Sequence, residues 1–185
     1  MRTLEKHITQ YAAYHRDRRN VATHFVGVPM IVFSNVLALV PWTLFGVNVA
    51  LIGAGITALY YLILDRALGS AMLVFLFFVC YLAAVYLNAR VGETAIVMTV
   101  AASLFVVGWT IQFVGHIFEG TKPAFFDDVI GLLIGPLFIM TEIFFAVGLK
   151  PELKKYVEAR VGPMLAARNG APIGPAAGSS PASRA

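Results

Sequence analysis

Nearly the whole interval between Arg19 and Glu119 is apolar, and this feature most restricts what the chain can fold into. The charged residues between those two positions are only Asp65, Arg66, Arg90 and Glu93. A bilayer core requires about 20 apolar residues per spanning helix, and the interval has room for four such helices. The whole chain is 13% charged, whereas soluble domains are roughly 25% charged. The sequence therefore predicts an all-α, polytopic helical membrane protein.

Short polar breaks divide the apolar sequence into five runs, which cover 21–45, 47–64, 67–87, 94–114 and 129–149. Asn20 is the expected N-cap of the first run. An amphipathic helix over 1–19 is predicted to lie at the membrane interface, because one narrow face carries Leu4, Ile8, Tyr11 and His15. We expect one membrane domain over 1–161 and a disordered Gly/Pro/Ala/Ser-rich tail over 162–185.

The topology follows from the number of crossings. Four spans would return the chain to its starting side, so His15, His24 and His116 would share one membrane boundary. Basic residues near the N-terminus place that side in the cytoplasm. A fifth span would export the basic segment 150–160, against the same rule. We therefore favour a fifth run that breaks at Gly135-Pro136 and re-enters, with protein covering its exposed backbone.

Charge and motif content exclude several classes of function. The net charge of +4 comes mainly from the ends of the chain, as expected for basic flanks of membrane helices, and it does not indicate nucleic acid as a partner. One cysteine, Cys80, excludes a disulfide framework within the chain. The sequence contains no Walker A, dinucleotide-binding or GxSxG motif.

A polar cluster follows the fourth run. Trp109, Gln112, His116 and Glu119 are spaced 3, 4 and 3 apart, so on a continuous helix they share one face. Gly115 would allow another helix to approach closely. A His and a Glu three residues apart can both reach one metal ion. The alternative is that they are interfacial polar residues ending a membrane helix.

Two further histidines, His15 and His24, precede the first run. They are nine residues apart, so one unbroken helix would place them on opposite faces. They converge only if the chain turns between them, and the DRRN sequence at 17–20 offers such a turn. Two separate interfacial histidines are the alternative. Three histidines at one boundary predict a metal site, for which imidazole suits iron, zinc and copper; His7 is a solvated interfacial residue in this interpretation.

Glu142 is a carboxylate within the fifth apolar run, where a charge is costly. It could ligate the metal, orient a histidine, or brace the helices through a hydrogen bond. The cations Arg16, Arg18, Arg19 and Lys122 are predicted on the same side, mostly as lipid headgroup contacts. One of Arg16, Arg19 and Lys122 could neutralise the carboxylate of an acidic substrate.

Three blocks of residues, in this order, carry a family resemblance. The pattern Y-x3-H-x4-N-x3-H-x2-G-x-P covers Tyr11 to Pro29, Q-x2-G-H-x2-E-x3-P-A covers Gln112 to Ala124, and G-P-L-F-x3-E covers Gly135 to Glu142. Over about Tyr11 to Leu149 the chain resembles the yeast 2-hydroxy fatty acid dioxygenase family.

The resemblance implies an enzyme that uses Fe(II), with O2 as co-substrate, to shorten a 2-hydroxy fatty acid or related lipid by one carbon. It implies His15, His24 and His116 as the iron ligands, and we add Glu119 or Glu142 as a fourth ligand or an orienting group. Four histidines are too few for the membrane desaturases, which bind two irons. The Ala/Pro/Gly-rich tail favours a bacterial inner membrane over an endoplasmic reticulum, with the active site facing the cytoplasm.

Two other functions stay open. A non-enzymatic carrier or scaffold would use the polar clusters as substrate or proton sites, with Glu142 and a broken fifth run as its best evidence. A zinc-dependent lipid hydrolase would need no oxygen. Stoichiometric iron in the purified protein would favour the dioxygenase over both.

Overall fold

A computed structural model of the protein describes residues 3–120 and 130–165, and nearly all of its secondary structure is helical. The elements in chain order are α1 (Thr3–Ala13), α2 (Arg18–Leu39), a short antiparallel hairpin of β1 (Thr43–Leu44) and β2 (Val47–Asn48), α3 (Val49–Leu64), α4 (Arg66–Val74), a π-helical segment (Phe75–Tyr81), α5 (Leu82–Val91), α6 (Thr94–Glu119), α7 (Gly131–Ala146) and α8 (Pro151–Val161). The prediction of an all-α polytopic membrane protein is confirmed.

Within residues 3–120 and 130–165, three helices are long and apolar enough to cross a membrane: α2, the continuous helix Arg66–Val91, and α6. α3 has 16 residues, or about 24 Å, and is shorter than the roughly 30 Å hydrocarbon core. The surface of these helices is apolar, and Ile63 and Ile117 are each 75% exposed. On α6 the side chains of Gln112, His116 and Glu119 lie on the buried face. The arrangement is the one a lipid solvent requires.

Glycines allow α2 and α6 to pack against each other as antiparallel neighbours. A Cβ on Gly27 would lie 2.8 Å from the carbonyl oxygen of Gly108, and a Cβ on Gly115 would overlap Thr23 and Asn20. Only glycine permits such a close approach of two helix backbones. The role predicted for Gly115 is confirmed, and the contact brings the start of α2 beside the end of α6.

The fifth run does not break where the sequence analysis expected. α7 continues through Pro136, and the chain instead bends by 113° between α7 and α8. Proline removes one helical hydrogen bond, but the next residues, Leu137 and Phe138, are fully buried and hold the helix in place. The bend uses positive φ angles at Gly148 and Lys150.

Contacts along α7 and beyond its end keep this part of the chain at one end of the bundle. The hydroxyl of Tyr61, near the end of α3, donates to the carbonyl of Leu133 at 2.6 Å. After the bend, Lys150 pairs with Asp65, which directly follows α3. Both points lie at the end where α3 finishes and α2 begins. α7 therefore lies across that end, and re-entry without crossing, the predicted topology, agrees with these contacts.

The N-terminal segment departs from the prediction in three ways. α1 ends at Ala13, so His15 lies in a turn beyond the helix. The apolar face of α1 is buried within the protein, in one cluster with residues of α7 and α8, and does not lie on lipid. Asp17 is the N-cap of α2 in place of Asn20, because its side chain accepts from the backbone N–H of Arg19.

The predicted tail begins with a defined contact. Leu165 forms an isolated β-bridge with Asp17, through hydrogen bonds to the backbones of Arg16 and Arg18. The remainder of the predicted tail, 166–185, lies outside the described residues.

Candidate metal centre

Three histidines from distant parts of the sequence meet at one end of the bundle. His15 lies in the turn between α1 and α2, His24 in the second turn of α2, and His116 in the last turn of α6. All three are buried, and one ring nitrogen from each lies within 4.8 Å of the others. The structure thus brings together the three histidines that the sequence analysis singled out, although they are separated by up to 101 residues.

Hydrogen bonds fix the protonation of two of these rings. Nδ1 of His15 donates to the carbonyl of Tyr11 at 2.8 Å, and Nδ1 of His24 donates to the carbonyl of Asn20 at 2.9 Å. A carbonyl can only accept, so both hydrogens of the neutral rings are at Nδ1 and both Nε2 atoms carry lone pairs. Those Nε2 atoms are 3.0 Å apart.

Two lone pairs at 3.0 Å repel unless a cation lies close to both. Burial holds the pKa of His15 well below its usual range, and the neighbouring His24 and His116 disfavour a charge on it in the same direction, although the hydrogen bond to the Tyr11 carbonyl acts in the opposite direction. His15 is therefore neutral near pH 7, which is the form that binds metal. Metal-ligating histidines commonly donate their other N–H to a carbonyl. The donor set fits a divalent transition metal such as iron, zinc or copper.

Neighbouring groups also restrict the ring of His15. Tyr11 stacks on it with the ring centroids 4.2 Å apart, and Phe138 of α7 lies 5.5 Å away on centroid distance. The ring is therefore held by α1 and α7 as well as by its hydrogen bond.

Glu119 faces the turn that carries His15. Its two oxygens accept from the backbone N–H of Arg16 at 3.1 and 3.0 Å, and one of them accepts from that of Asp17 at 2.8 Å. The same oxygen accepts from the side chain of Asn20 at 3.2 Å. Glu119 thus ties the turn to the end of α6, one helical turn beyond His116. Among the described residues it does not belong to the group whose atoms converge for a metal.

Glu142 and Arg16 pair beside the centre. The Arg16 guanidinium lies 3.9 Å from the Glu142 carboxylate and donates to the carbonyl of Gly162 at 3.0 Å. In the described part of the chain Glu142 is likewise outside the converging group. Of the three roles left open for it, bracing of the helices is the one these contacts favour.

The cations proposed to neutralise a substrate carboxylate have other neighbours. Arg16 is 5% exposed and is directed at Glu142, whereas Arg19 pairs with Asp17 at 2.8 Å and lies over the ring of Phe118. Neither contributes to the cavity described below. Lys122 lies outside the described residues. His7 is partly exposed on α1 and is not in the histidine group.

A cavity of about 520 Å³ opens from the histidines into the bundle, and the sequence did not predict which residues line it. His24 and His116 line one end, and Leu39 and Ala50 line it at the other end of α2. One sequence feature could have indicated the cavity. α3 carries small residues on one face, Ala50, Gly53 and Ala54, and these line the cavity, whereas its other face carries large apolar side chains. Gln112 also lines the cavity, and the sequence had placed it on the histidine face without giving it a role.

Comparison with known proteins identifies the family. A family model described as 2-hydroxy-palmitic acid dioxygenase Mpo1-like matches residues 1–147. The chain belongs to this family. The 2-hydroxy-palmitic acid dioxygenase MPO1 of Saccharomyces cerevisiae is 30% identical over 160 residues, which are 84% of this chain and 87% of the yeast protein. No solved structure matches. The Mpo1-like match includes all three histidines, and it confirms the resemblance drawn from the three sequence blocks.

Proposed function

We propose that this protein is a membrane dioxygenase that shortens 2-hydroxy fatty acids by one carbon with Fe(II) and O2. The observation that carries the proposal is the buried cluster of His15, His24 and His116 at the mouth of an apolar cavity. The name and similarity of the yeast relative support the choice of substrate class. In the overall balance, one 2-hydroxy acid and one O2 give the fatty acid one carbon shorter, one CO2 and one water.

The three histidines would hold the iron, and Fe(II) would supply the electrons that make O2 reactive towards the bound acid. The carbonyls of Tyr11 and Asn20 orient two of the rings. Glu119 holds the turn of His15 against α6. The chain's own residues therefore fix the geometry of the centre without contribution from the substrate.

The cavity supports a lipid substrate. Its walls are mostly apolar side chains from α2, α3, α6 and α7, which exclude water from the acyl chain and from the reacting carbons. An amphiphile entering from the membrane would leave its polar head beside the histidines at the bundle end. Because α7 and α8 stay at that end, the basic residues of α8 join Arg18 and Arg19 there, and by the distribution of positive charge we place the centre on the cytoplasmic side.

The structure weakens the carrier alternative, because α7 is continuous at Gly135-Pro136 and the broken helix that favoured transport is not formed there. A zinc hydrolase would use the same three imidazoles, so the two chemistries must be separated by experiment.

The test is oxygen uptake by anaerobically purified protein loaded with Fe(II) and given 2-hydroxypalmitic acid. We expect one O2 consumed per pentadecanoic acid formed, no product from palmitic acid, and no product from His116→Ala that elutes normally on size exclusion. Cleavage of a lipid ester by the zinc-loaded protein without O2, with no pentadecanoic acid formed from 2-hydroxypalmitic acid, would favour the hydrolase. Full activity in His116→Ala would contradict the assignment.

A further inference from the structure

The cavity is polar at one end and apolar at the other. His24, His116 and Gln112 lie at the end that faces the centre. The opposite end is lined mainly by Val36, Leu39, Ala50 and Gly53; Asn35 also lines the cavity there, and its amide donates to the carbonyl of Ile31. An amphiphile with one long chain has the same division.

Gln112 points to a ligand at the polar end. It is 4% exposed, and neither its amide nitrogen nor its amide oxygen has a hydrogen-bond partner among the described residues. Buried amides in proteins almost always have partners. Gln112 offers both a donor and an acceptor one turn before His116, which matches the hydroxyl and carboxyl groups of a 2-hydroxy acid.

The length of the cavity matches one long acyl chain. Leu39 is 15 residues beyond His24 on α2, and both line the cavity, so the cavity extends about 22 Å along the helix. One layer of acyl chains occupies about half of the roughly 30 Å hydrocarbon core, or about 15 Å. A chain of membrane-lipid length therefore fits between Gln112 and the far end, with little room to spare once its head is included.

The far end is bounded by a small face of α3. A Cβ on Gly53 would lie 3.9 Å from Cδ1 of Leu39, so a methyl group fits there and a larger side chain would enter the cavity. Gly55 lies two residues further along α3 and is exposed, and a Cβ there would have no heavy atom within 4 Å. The two glycines thus differ in whether a side chain reaches the cavity.

We propose that Gly53, together with Ala50 and Leu39, ends an acyl-chain site and sets the longest 2-hydroxy acid that binds with its head at Gln112. The inference rests on the proposed function and deepens it, because it assigns the residues that select substrate by chain length. A side chain added at Gly53 shortens the site, and a side chain removed at Leu39 lengthens it.

The test is binding of a series of saturated 2-hydroxy acids to metal-free protein in detergent, measured by displacement of a fluorescent fatty acid. In Gly53→Leu we expect 2-hydroxypalmitic acid to bind at least about tenfold more weakly, a change of about 1.4 kcal/mol. 2-Hydroxyoctanoic acid should bind as it does to wild type. Gly55→Leu, the matched control, should leave the whole series unchanged.

A second variant is designed to lengthen the acyl-chain site instead of shortening it. It removes side-chain atoms, so the fold does not have to accommodate a larger residue. Leu39 is 38% exposed, so Leu39→Ala should fold and should improve the binding of acids longer than palmitic acid relative to 2-hydroxypalmitic acid. An equal effect on all chain lengths, or no effect in both variants, would overturn the inference. Binding is measured without metal or O2, so this test does not depend on catalysis. If the variants shift the chain-length preference but the protein forms no product, the dioxygenase proposal would be refuted and the acyl-chain site would stand.

Discussion

The Nε2 atoms of His15 and His24 lie 3.0 Å apart, while Nδ1 of each ring donates to a backbone carbonyl. With both rings neutral, no hydrogen is left for the contact between them. A cation shared by the two nitrogens removes the repulsion, and His116 is placed to be a third ligand. The arrangement is therefore complete only when a positive charge is present.

Glu119→Gln should loosen the centre without removing a histidine. The carboxylate accepts from two backbone N–H groups in the turn of His15, and a glutamine would turn its NH2 group towards one of these donors. Hydrogen bonds to a charged group contribute about 1.5–3 kcal/mol, and groups that orient metal ligands change metal affinity roughly 10–100-fold. We expect a lower melting temperature and weaker metal binding, both measured in detergent.

The control for Glu119→Gln is Glu152→Gln, because the Glu152 side chain is 84% exposed. This control should match wild type in both measurements. If Glu119→Gln also matched wild type, its role in holding the turn would be refuted.

Gln112→Leu should stabilise the protein and weaken substrate binding together. Its amide is buried without a partner in the described part of the chain, and such a group costs about 1–3 kcal/mol. Leucine has a similar size and removes that cost, so the melting temperature should rise. The affinity for 2-hydroxypalmitic acid should fall about tenfold or more, since a hydrogen bond to the charged carboxylate contributes about 1.5–3 kcal/mol.

Thr110→Val is the matched control for Gln112→Leu, because Thr110 lies on the exposed face of the same helix. It should leave the binding of 2-hydroxypalmitic acid unchanged. A lower melting temperature with unchanged binding in Gln112→Leu would show that Gln112 serves only the packing.

Asp65 should make the stability depend on acid pH. Burial raises its pKa, but hydrogen bonds from Lys150 and from the backbone of Leu68 and Ala67 outweigh that effect, so the pKa is below the ordinary 3.8. A carboxyl with a lowered pKa stabilises the fold above its unfolded-state pKa and loses this contribution as the pH falls through its folded-state pKa. Asp65→Asn keeps the N-cap and loses the ion pair.

At pH 7 we expect Asp65→Asn to lose about 1 kcal/mol or less, because the ion pair is only partly shielded from solvent, with the Lys150 side chain 30% exposed. Asp65→Ala should lose about 1 kcal/mol more, because it also removes the cap. The melting temperatures of wild type and Asp65→Asn should converge below pH 3.8. A difference that stays constant across the pH range would contradict the ion pair.

Most of the helical fold could be predicted from the sequence, because a long apolar run in lipid has few alternatives to a helix. Pro136 shows the limit. A proline within a helix predicts a break, but the burial of Leu137 and Phe138 keeps α7 intact. The actual bend depends on the backbone at Gly148 and Lys150, and a positive φ at a lysine has no clear sequence signal.

The histidine site was predictable in its members but not in its supports. Helical spacing put His116 and Glu119 on one face, and the crossing number put all three histidines at one boundary. The apolar spacing of residues 1–19 did not show that α1 ends at Ala13. The turn after it is held by Glu119, which is more than 100 residues away in the sequence. The lining of the cavity could not be predicted for a related reason: it is shared among several helices, and no single segment encodes it.

The most direct test of the account is metal analysis of anaerobically purified protein, comparing wild type with His15→Ala, His24→Ala and His116→Ala. His7→Ala is the control, since His7 lies outside the histidine group. We predict about one iron per chain in wild type and in His7→Ala, as three imidazoles support one such ion, and loss of the metal in the other three variants. A wild-type protein that stays metal-free after Fe(II) is added, or a His116→Ala protein that keeps its iron, would contradict the account.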